Sequence, residues 1–552
     1  MSLTPRATLV VRGRIATLAG DDGPAWVDAI GVADGRVVAA GSLDEVAAAA
    51  GPAARVLQLR PDEAAVPGLT DSHLHLVEAA LARSRVQLED ADSIAVLVGR
   101  VRDHAERAPA DAWVLGAGWD PDRLGRWPTA DDLEDAAPGR RVALWAHDHH
   151  ALLASRAALG DGGVGESTAD PAGGVIRRDE HGRPTGVLHE VAARLVARRI
   201  PPPTVEDLRG AMRPLIAELV ALGVTAVHDP GGLSEQRDLT GPIDAYRALA
   251  AAGELSIRAH PCIRPEQLDA AEREGIRSGQ PLGPDPLDRL RLGWLKTFAD
   301  GSLGSRTAAL LEPLERSAGE AEPPNGGYGV WLTPPRELQA QAARAASLGI
   351  ATQIHGIGDA AVRAALDALA PTVGATSLVP RIEHTQLVHP DDVPRFAALG
   401  VAASFQPVHV RSDAQKARRL WGERADASSY ALGAIARTGA LIPTGTDAPV
   451  EPIDPWPGVA CAVTRAAPTW PSGTPPLGLP NAVSLWRSVR AACVDPPLTA
   501  GEHDRGRLVP GHRADLVVLP AGALAEPVEV GGALWHARPR LVMLDGEVVA
   551  EA

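Results

Sequence analysis

Lysine is the scarcest way this chain has of carrying positive charge: 54 residues are Lys or Arg, and only Lys296 and Lys416 are lysines. Cysteine is nearly as rare. The three present, Cys262, Cys461 and Cys493, are too widely separated to suggest a disulfide framework and point to a reducing compartment. No apolar run is long enough to span a bilayer, and Met1-Ser2-Leu3-Thr4-Pro5-Arg6 lacks the apolar core of a signal peptide, so a cytoplasmic location is expected. A net charge of -15 disfavours nucleic acid and anionic membrane surfaces as partners. The remainder is ordinary for a soluble globular protein with more than one domain: 552 residues, 45% hydrophobic and 22% charged. Scarcity of Lys, Phe and Tyr beside abundant Ala, Arg, Gly and Pro has the look of coding bias, so position, not rarity, is what singles out a lysine.

Lys416 stands in Gln415-Lys416-Ala417-Arg418-Arg419, which a solvated helix face explains. Lys296 stands in Leu292-Gly293-Trp294-Leu295-Lys296-Thr297-Phe298-Ala299, an apolar run that reads as a buried strand. Burial pushes a lysine toward its neutral amine, and a neutral amine can add carbon dioxide to become a carbamate, in effect a long carboxylate able to bridge two metal ions. Arginine cannot do this.

The two chain ends resemble each other. Ala29 to Ala39 and Leu541 to Ala550 each read as two short strands about an Asp-Gly turn, and Ala514 to Leu519 reads as another strand. Residues 1–64 and 500–552 are therefore expected to form one small composite β-sandwich domain. The middle, 65–499, alternates strands with helices, which argues for parallel strands joined by crossover helices. A helix from Thr204 to Leu222, opened by Thr204 with Asp207 three residues on, precedes a strand at Val224 to Asp229. Further strands read at Ile257–His260, Leu292–Ala299, Ala351–His355, Arg381–His384, Val401–Phe405 and Leu441–Asp447, and Ala65–Asp71 makes eight. The fold class expected is α/β, a (β/α)8 TIM barrel with its site at the C-terminal strand ends. An insertion of about 85–203 after the first strand would serve as a lid.

Those strand ends carry a ligand set. His73 and His75 follow the first strand and alternate onto one side; Lys296 lies on the fourth, His355 ends the fifth, His384 the sixth and Asp447 the eighth. One histidine at a strand end is ordinary. Five such groups and a buried lysine at one end of a barrel predict a metal site.

The segments Pro67-Gly68-Leu69-Thr70-Asp71-Ser72-His73-Leu74-His75, Asp300-Gly301-Ser302-Leu303-Gly304-Ser305-Arg306, Gln353-Ile354-His355-Gly356-Ile357-Gly358-Asp359, Arg381-Ile382-Glu383-His384-Thr385-Gln386, Gly445-Thr446-Asp447-Ala448-Pro449 and Gly506 to Leu516 together resemble the amidohydrolase superfamily, in its family 3 branch of YtcJ-like metal-dependent hydrolases. The resemblance covers nearly the whole chain, including Gly116 to Asp120, His147 to His150 and Gly186 to Glu190. It implies that His73 and His75 hold the more buried metal with Asp447, that His355 and His384 hold the more exposed one, and that carboxylated Lys296 bridges them. Zinc suits these donors, one or two ions per chain. Glu190 is the alternative carboxylate if Lys296 is unmodified. Two departures, His149 where the family usually has glycine and Thr446 where it usually has serine, bear on substrate preference.

The expected chemistry is hydrolysis of an amide or related non-peptide C-N bond by a metal-activated water, with Asp447 taking the water's proton and delivering it to the leaving nitrogen. Candidate substrate contacts are His150, Asp148 and Trp119 in the insertion and Asp300 and Arg306 after the fourth strand. A lactonase, esterase or deaminase would use the same ligands, and a scaffold that has given up catalysis is the more distant alternative. The expected partner is a small-molecule substrate, with a homodimer as the assembly to test.

Overall fold

Asp34-Gly35 and Asp545-Gly546 take left-handed φ values at both positions, 49° and 74° in the first pair and 50° and 77° in the second. This is the geometry of a two-residue hairpin turn. The turns join Trp26–Ala33 to Arg36–Gly41 and Leu541–Leu544 to Glu547–Glu551, all antiparallel. They also meet: Ala514 N donates to Gly35 O at 2.8 Å, Gly546 N donates to Ala514 O at 3.0 Å, and a Cβ on Gly35 would stand 3.1 Å from Asp545 O. Both ends thereby enter one eight-stranded sheet, in the order Glu547–Glu551, Leu541–Leu544, Leu516–Pro520, Glu63–Pro67, Ala7–Ala16, Trp26–Ala33 and Arg36–Gly41, with Ala50–Gln58 also paired to Ala7–Ala16.

The computed structural model describes residues 5–20, 23–146, 151–171, 174–231, 239–304, 306–316 and 324–552. The chain is mixed α/β and forms two compact units, Met1–Leu76 with Arg213–Ala552, and Val77–Met212. In the first, parallel strands β1 (Leu69–Asp71), β2 (Val224–Asp229) and β3 (Arg258–Pro261) make one sheet, and β4 (Leu295–Phe298), β5 (Thr352–Gly356), β6 (Arg381–His384) and β7 (Ala402–Ser404) make another. A parallel bridge from Ile263 to Leu295 connects the two series. All six residues of β2 and all four of β6 are buried, as expected of strands covered on both faces.

Two expected strands differ from the sequence reading. The first breaks at Gly68: Val66 and Pro67 pair antiparallel with Val517 and Leu516, whereas Leu69 to Asp71 run parallel to β2. Gly68 allows a close pass against the neighbouring strand, since a Cβ there would lie 2.5 Å from the Thr225 side chain. The eighth, Leu441 to Asp447, is not a regular strand but still pairs with the β7 segment: Ala403 N donates to Leu441 O at 3.0 Å, Phe405 N to Pro443 O at 2.9 Å and Gly445 N to Phe405 O at 3.0 Å. Thr444 bridges to Phe405 in parallel, and the segment is tied to the end of β1 by Ser72 N to Thr444 O at 3.1 Å and Asp447 N to His73 O at 2.7 Å. The left-handed Asp447, φ 62°, is incompatible with an extended strand continuing through it.

The helix expected after Thr204 runs Val205–Ala221, with the Thr204 hydroxyl accepting from Asp207 N at 3.2 Å and the Asp207 carboxylate accepting from Thr204 N at 2.8 Å. The unit Val77–Met212 has its own six-stranded sheet, ordered Gly174–Arg178, Pro184–Glu190, Ala151–Ala154, Val142–Ala146, Val114–Trp119 and Val86–Gln87. Its core includes Leu97, Val101, Leu133 and Leu144.

Candidate metal centre

His73, His384 and Asp447 each offer a donor atom within 4.8 Å of the others. His73 Nε2 lies 3.5 Å from Asp447 Oδ1, and His75 Nε2 lies 3.3 Å from the same oxygen. Donors about 2.1 Å from one tetrahedral ion stand about 3.4 Å apart. The separations therefore fit a shared cation. His384 closes the group: its ring centroid is 4.8 Å from that of His73 and 4.6 Å from that of His355.

Each of the four imidazoles has one nitrogen committed to an oxygen acceptor. His75 Nδ1 faces Gly231 O at 3.0 Å, His384 Nδ1 faces Gln406 Oε1 at 2.8 Å, His355 Nε2 faces Gly301 O at 2.9 Å, and His73 Nδ1 contacts the Glu383 carboxylate. An oxygen acceptor requires the proton on that nitrogen, which leaves the other lone pair available as a ligand. Buried His73 Nε2 has no hydrogen-bond partner. Burial, followed by the charge on Lys296, pushes His73 down to about 4 and His355 down to about 3, and His384 is also held well below its ordinary value, chiefly by burial. Neutral imidazoles are the form that binds metal.

Lys296 is 1% exposed, its Nζ is without a hydrogen-bond partner, and the group stands 4.9 Å from the Phe298 ring centroid. Asp447 is buried, yet contacts with His409 and His75 outweigh that burial and hold its carboxyl well below the usual carboxylate range. Its oxygens face different groups: Oδ1 the two histidines after β1, Oδ2 the His409 Nε2 at 3.3 Å.

His409 was not singled out by the sequence reading, nor were Glu383, Arg381 and Asp71 given roles. The strand-end rule contains the signal for His409, which follows β7 by five residues in Gln406-Pro407-Val408-His409. Asp71 ties β1 to the segment before Asp447: its Oδ2 accepts from the Thr446 hydroxyl at 2.6 Å and its Oδ1 from His73 N and Thr446 N, each at 3.1 Å. Thr446, expected to bear on substrate preference, thus spends its hydroxyl on this joint, a bond that serine could equally make.

The substrate-contact candidates are placed differently. Asp300 is 0% exposed and its carboxylate accepts from Ala309 N at 2.8 Å, Gly358 N at 2.9 Å and Ile357 N at 3.0 Å, which makes it the anchor of its loop. Arg306 occupies a left-handed turn position, φ 57°. Trp119 is fully buried in the core of its own unit and donates Nε1 to Leu144 O at 2.8 Å, so its geometry is that of a packing residue and not the expected substrate contact. His150 and Asp148 lie outside the described residues, and Glu190 is described for its backbone, paired with Gly174.

A cluster of imidazoles about a buried carboxylate makes a candidate metal site. The chain belongs to the amidohydrolase family, whose model matches residues 62–550. It is 29% identical to a putative amidohydrolase, YtcJ, of Bacillus subtilis over 88% of each chain, and 28% identical to an N-substituted formamide deformylase of Arthrobacter pascens over 93% of each. Among solved structures, an uncharacterized metal-dependent hydrolase from Pyrococcus furiosus superposes with a TM-score of 0.75 at 28% identity, over 94% of this chain and 99% of that one. The protein is thus a hydrolase of a family with a TIM-barrel-type α/β fold that acts on small molecules. No helix among the described residues is long and apolar enough to cross a membrane.

Proposed function

We propose that this chain hydrolyses an amide or related non-peptide C-N bond at a zinc centre built on His73, His75, Lys296, His355, His384 and Asp447. The observation that carries the reading is the pairing of each imidazole with one oxygen acceptor, which leaves its second nitrogen for a cation. In this reading His73 and His75 with Asp447 would hold one ion, His355 and His384 would hold the other, and Lys296 would serve both as a carbamate. The amine of Lys296, pushed down to about 8 first of all by burial, is the form that carbon dioxide requires. Closure of the parallel strands as a barrel is supported by the links from Phe405 through Thr444 to Ser72. The terminal sheet can divide into two layers because Ala7–Ala16 pairs with Ala50–Gln58 along one stretch and with Glu63–Pro67 along the next. Three free, buried cysteines agree with a reducing, cytoplasmic setting.

A divalent cation bound here would supply Lewis acidity toward a carbonyl oxygen and lower the pKa of water toward neutrality. Asp447 is the chain's own base. Its ionised carboxylate takes a proton from the attacking water and hands it to the leaving nitrogen, while His409 at 3.3 Å fixes the oxygen that does not face His73 and His75. The C-N preference is supported by the formamide deformylase similarity.

The test is to measure metal content and then assay amides, N-substituted formamides, lactones and amino-heterocycles side by side before and after chelation. About one to two divalent ions per chain and amide turnover that chelation removes are expected. Full activity in a verified metal-free preparation would refute the metal reading. Exclusive turnover of lactones or amino-heterocycles would move the assignment to a lactonase or deaminase.

A further inference from the structure

We infer that Glu383 is a positioning residue for the ligand His73, holding its ring with the proton on Nδ1, and that Arg381 in turn holds Glu383. The inference deepens the metal reading of the same site and rests on it. Gly231, Gly301 and Gln406 offer neutral oxygens to His75, His355 and His384, whereas His73 Nδ1 meets the Glu383 carboxylate. Both members of that pair are 0% exposed. A carboxylate so placed must be compensated, because a buried charge without partners costs several kcal/mol.

Arg381 provides the compensation. It is also 0% exposed, its Nε lies 2.6 Å from Glu383 Oε1, and its guanidinium stands 4.1 Å from the Trp294 ring centroid. The same Nε also donates to Gln353 Oε1 at 3.0 Å, and the other N–H groups reach Gln353 Oε1 at 2.6 Å, His228 Nδ1 at 2.9 Å and Ser72 O at 2.8 Å. Arg381 and Glu383 sit two apart on β6 and so point to the same side. Together they connect β5, β6, β2 and the chain end after β1, and Arg381 grips the backbone of Ser72, the residue before His73. A strut that meets His73 through both its ring and its neighbouring carbonyl fixes where Nε2 points. A carboxylate partner also makes the imidazole a more basic ligand, and loss of such a partner typically lowers metal affinity about 10–100-fold.

Glu383→Gln separates positioning from mere structure. The glutamine oxygen can stay against Arg381 while its NH2 faces His73 Nδ1, which reverses the tautomer and puts the proton on Nε2. The metal-free variant should be less stable, because Arg381 loses its buried counter-charge, and the folded variant should bind zinc about 10–100-fold more weakly in chelator competition. Arg381→Lys should weaken zinc binding less, since it keeps the charge beside Glu383 and loses the fork. Equal zinc affinity in wild type and Glu383→Gln would overturn the inference and leave the metal reading standing; failure of folded wild type to bind zinc would sink both. If Glu383→Gln does not fold, 15N NMR of histidine-labelled, metal-free wild type decides. A ring protonated on Nδ1 that disappears in His73→Asn is expected, and an Nε2-protonated His73 would overturn the assignment.

Discussion

In metal-free protein without carbon dioxide, Lys296 should be a destabilising residue, and replacing it by methionine should strengthen the fold. The amine is 1% exposed and burial lowers it from 10.5 to about 8, with the charge on Glu383 offsetting part of the effect. That fall corresponds to about 3 kcal/mol. The direction with pH follows. Below about pH 8 both folded and unfolded chains carry the proton, and the folded one bears the whole cost. Between about 8 and 10.5 the folded chain has released its proton while the unfolded chain keeps it, so folding gains stability as pH rises. Urea denaturation of wild type and Lys296→Met, metal-free in carbon dioxide-depleted buffer, should show the variant more stable by about 3 kcal/mol at pH 7. The gap should close as pH climbs above 8. Zinc and bicarbonate should then reverse the order, because only the wild type completes a carbamate bridge and gains the stability that a bound ligand confers. A variant no more stable than wild type at pH 7, or a gap that ignores pH, would refute the buried-amine argument. Lys296→Arg should be inactive whatever its stability, since guanidinium can neither form a carbamate nor accept a metal.

Two further outcomes are expected. Asp447→Asn keeps the size of the side chain at the donors 3.3 and 3.5 Å away but removes its basicity, so kcat should fall roughly a hundredfold or more in preparations whose metal content is measured; a metal-loaded variant turning over normally would put the base elsewhere. Thr446→Ser should preserve the 2.6 Å bond to Asp71 and behave like wild type, whereas Thr446→Val leaves a buried carboxylate oxygen without its donor and should cost about 1–3 kcal/mol in denaturation. Equal stability of the valine variant would show that the joint does not depend on this hydroxyl.

The residues legible in the sequence were those whose position follows from one rule applied locally. Asp-Gly between two short strand-like runs specified both hairpins, and the φ values of all four turn residues agree with it. The strands β5 and β6 were readable from their place in a chain that alternates strands with helices, each with a histidine at or next to its end. Less legible were features that depend on a neighbour distant in sequence. The break at Gly68 is set by Thr225 on one side and by pairing with Val517 on the other. Trp119 resembles a pocket residue until the packing of its own unit closes around it. Asp300 resembles a substrate contact until three amides from other segments converge on its carboxylate.

Glu383 and His384 show the limit most clearly. They are consecutive, and strand alternation sends consecutive side chains to opposite faces, so a pattern reading that assigns His384 to the site must assign Glu383 to the wall. Both nevertheless touch His73: Glu383 through its carboxylate, His384 with its ring centroid 4.8 Å away. The conflict is resolved by backbone that leaves the β region at this point. His384 has φ 70° and Thr385 φ 46°, values that L-residues with side chains adopt at a cost, and Asp447 opposite has φ 62°. The turn brings two successive side chains against His73, one a proposed ligand and the other the carboxylate proposed to orient His73. Sequence alternation can find a site built at the ends of regular strands, but the residue that makes such a site function is found where the strand stops being regular.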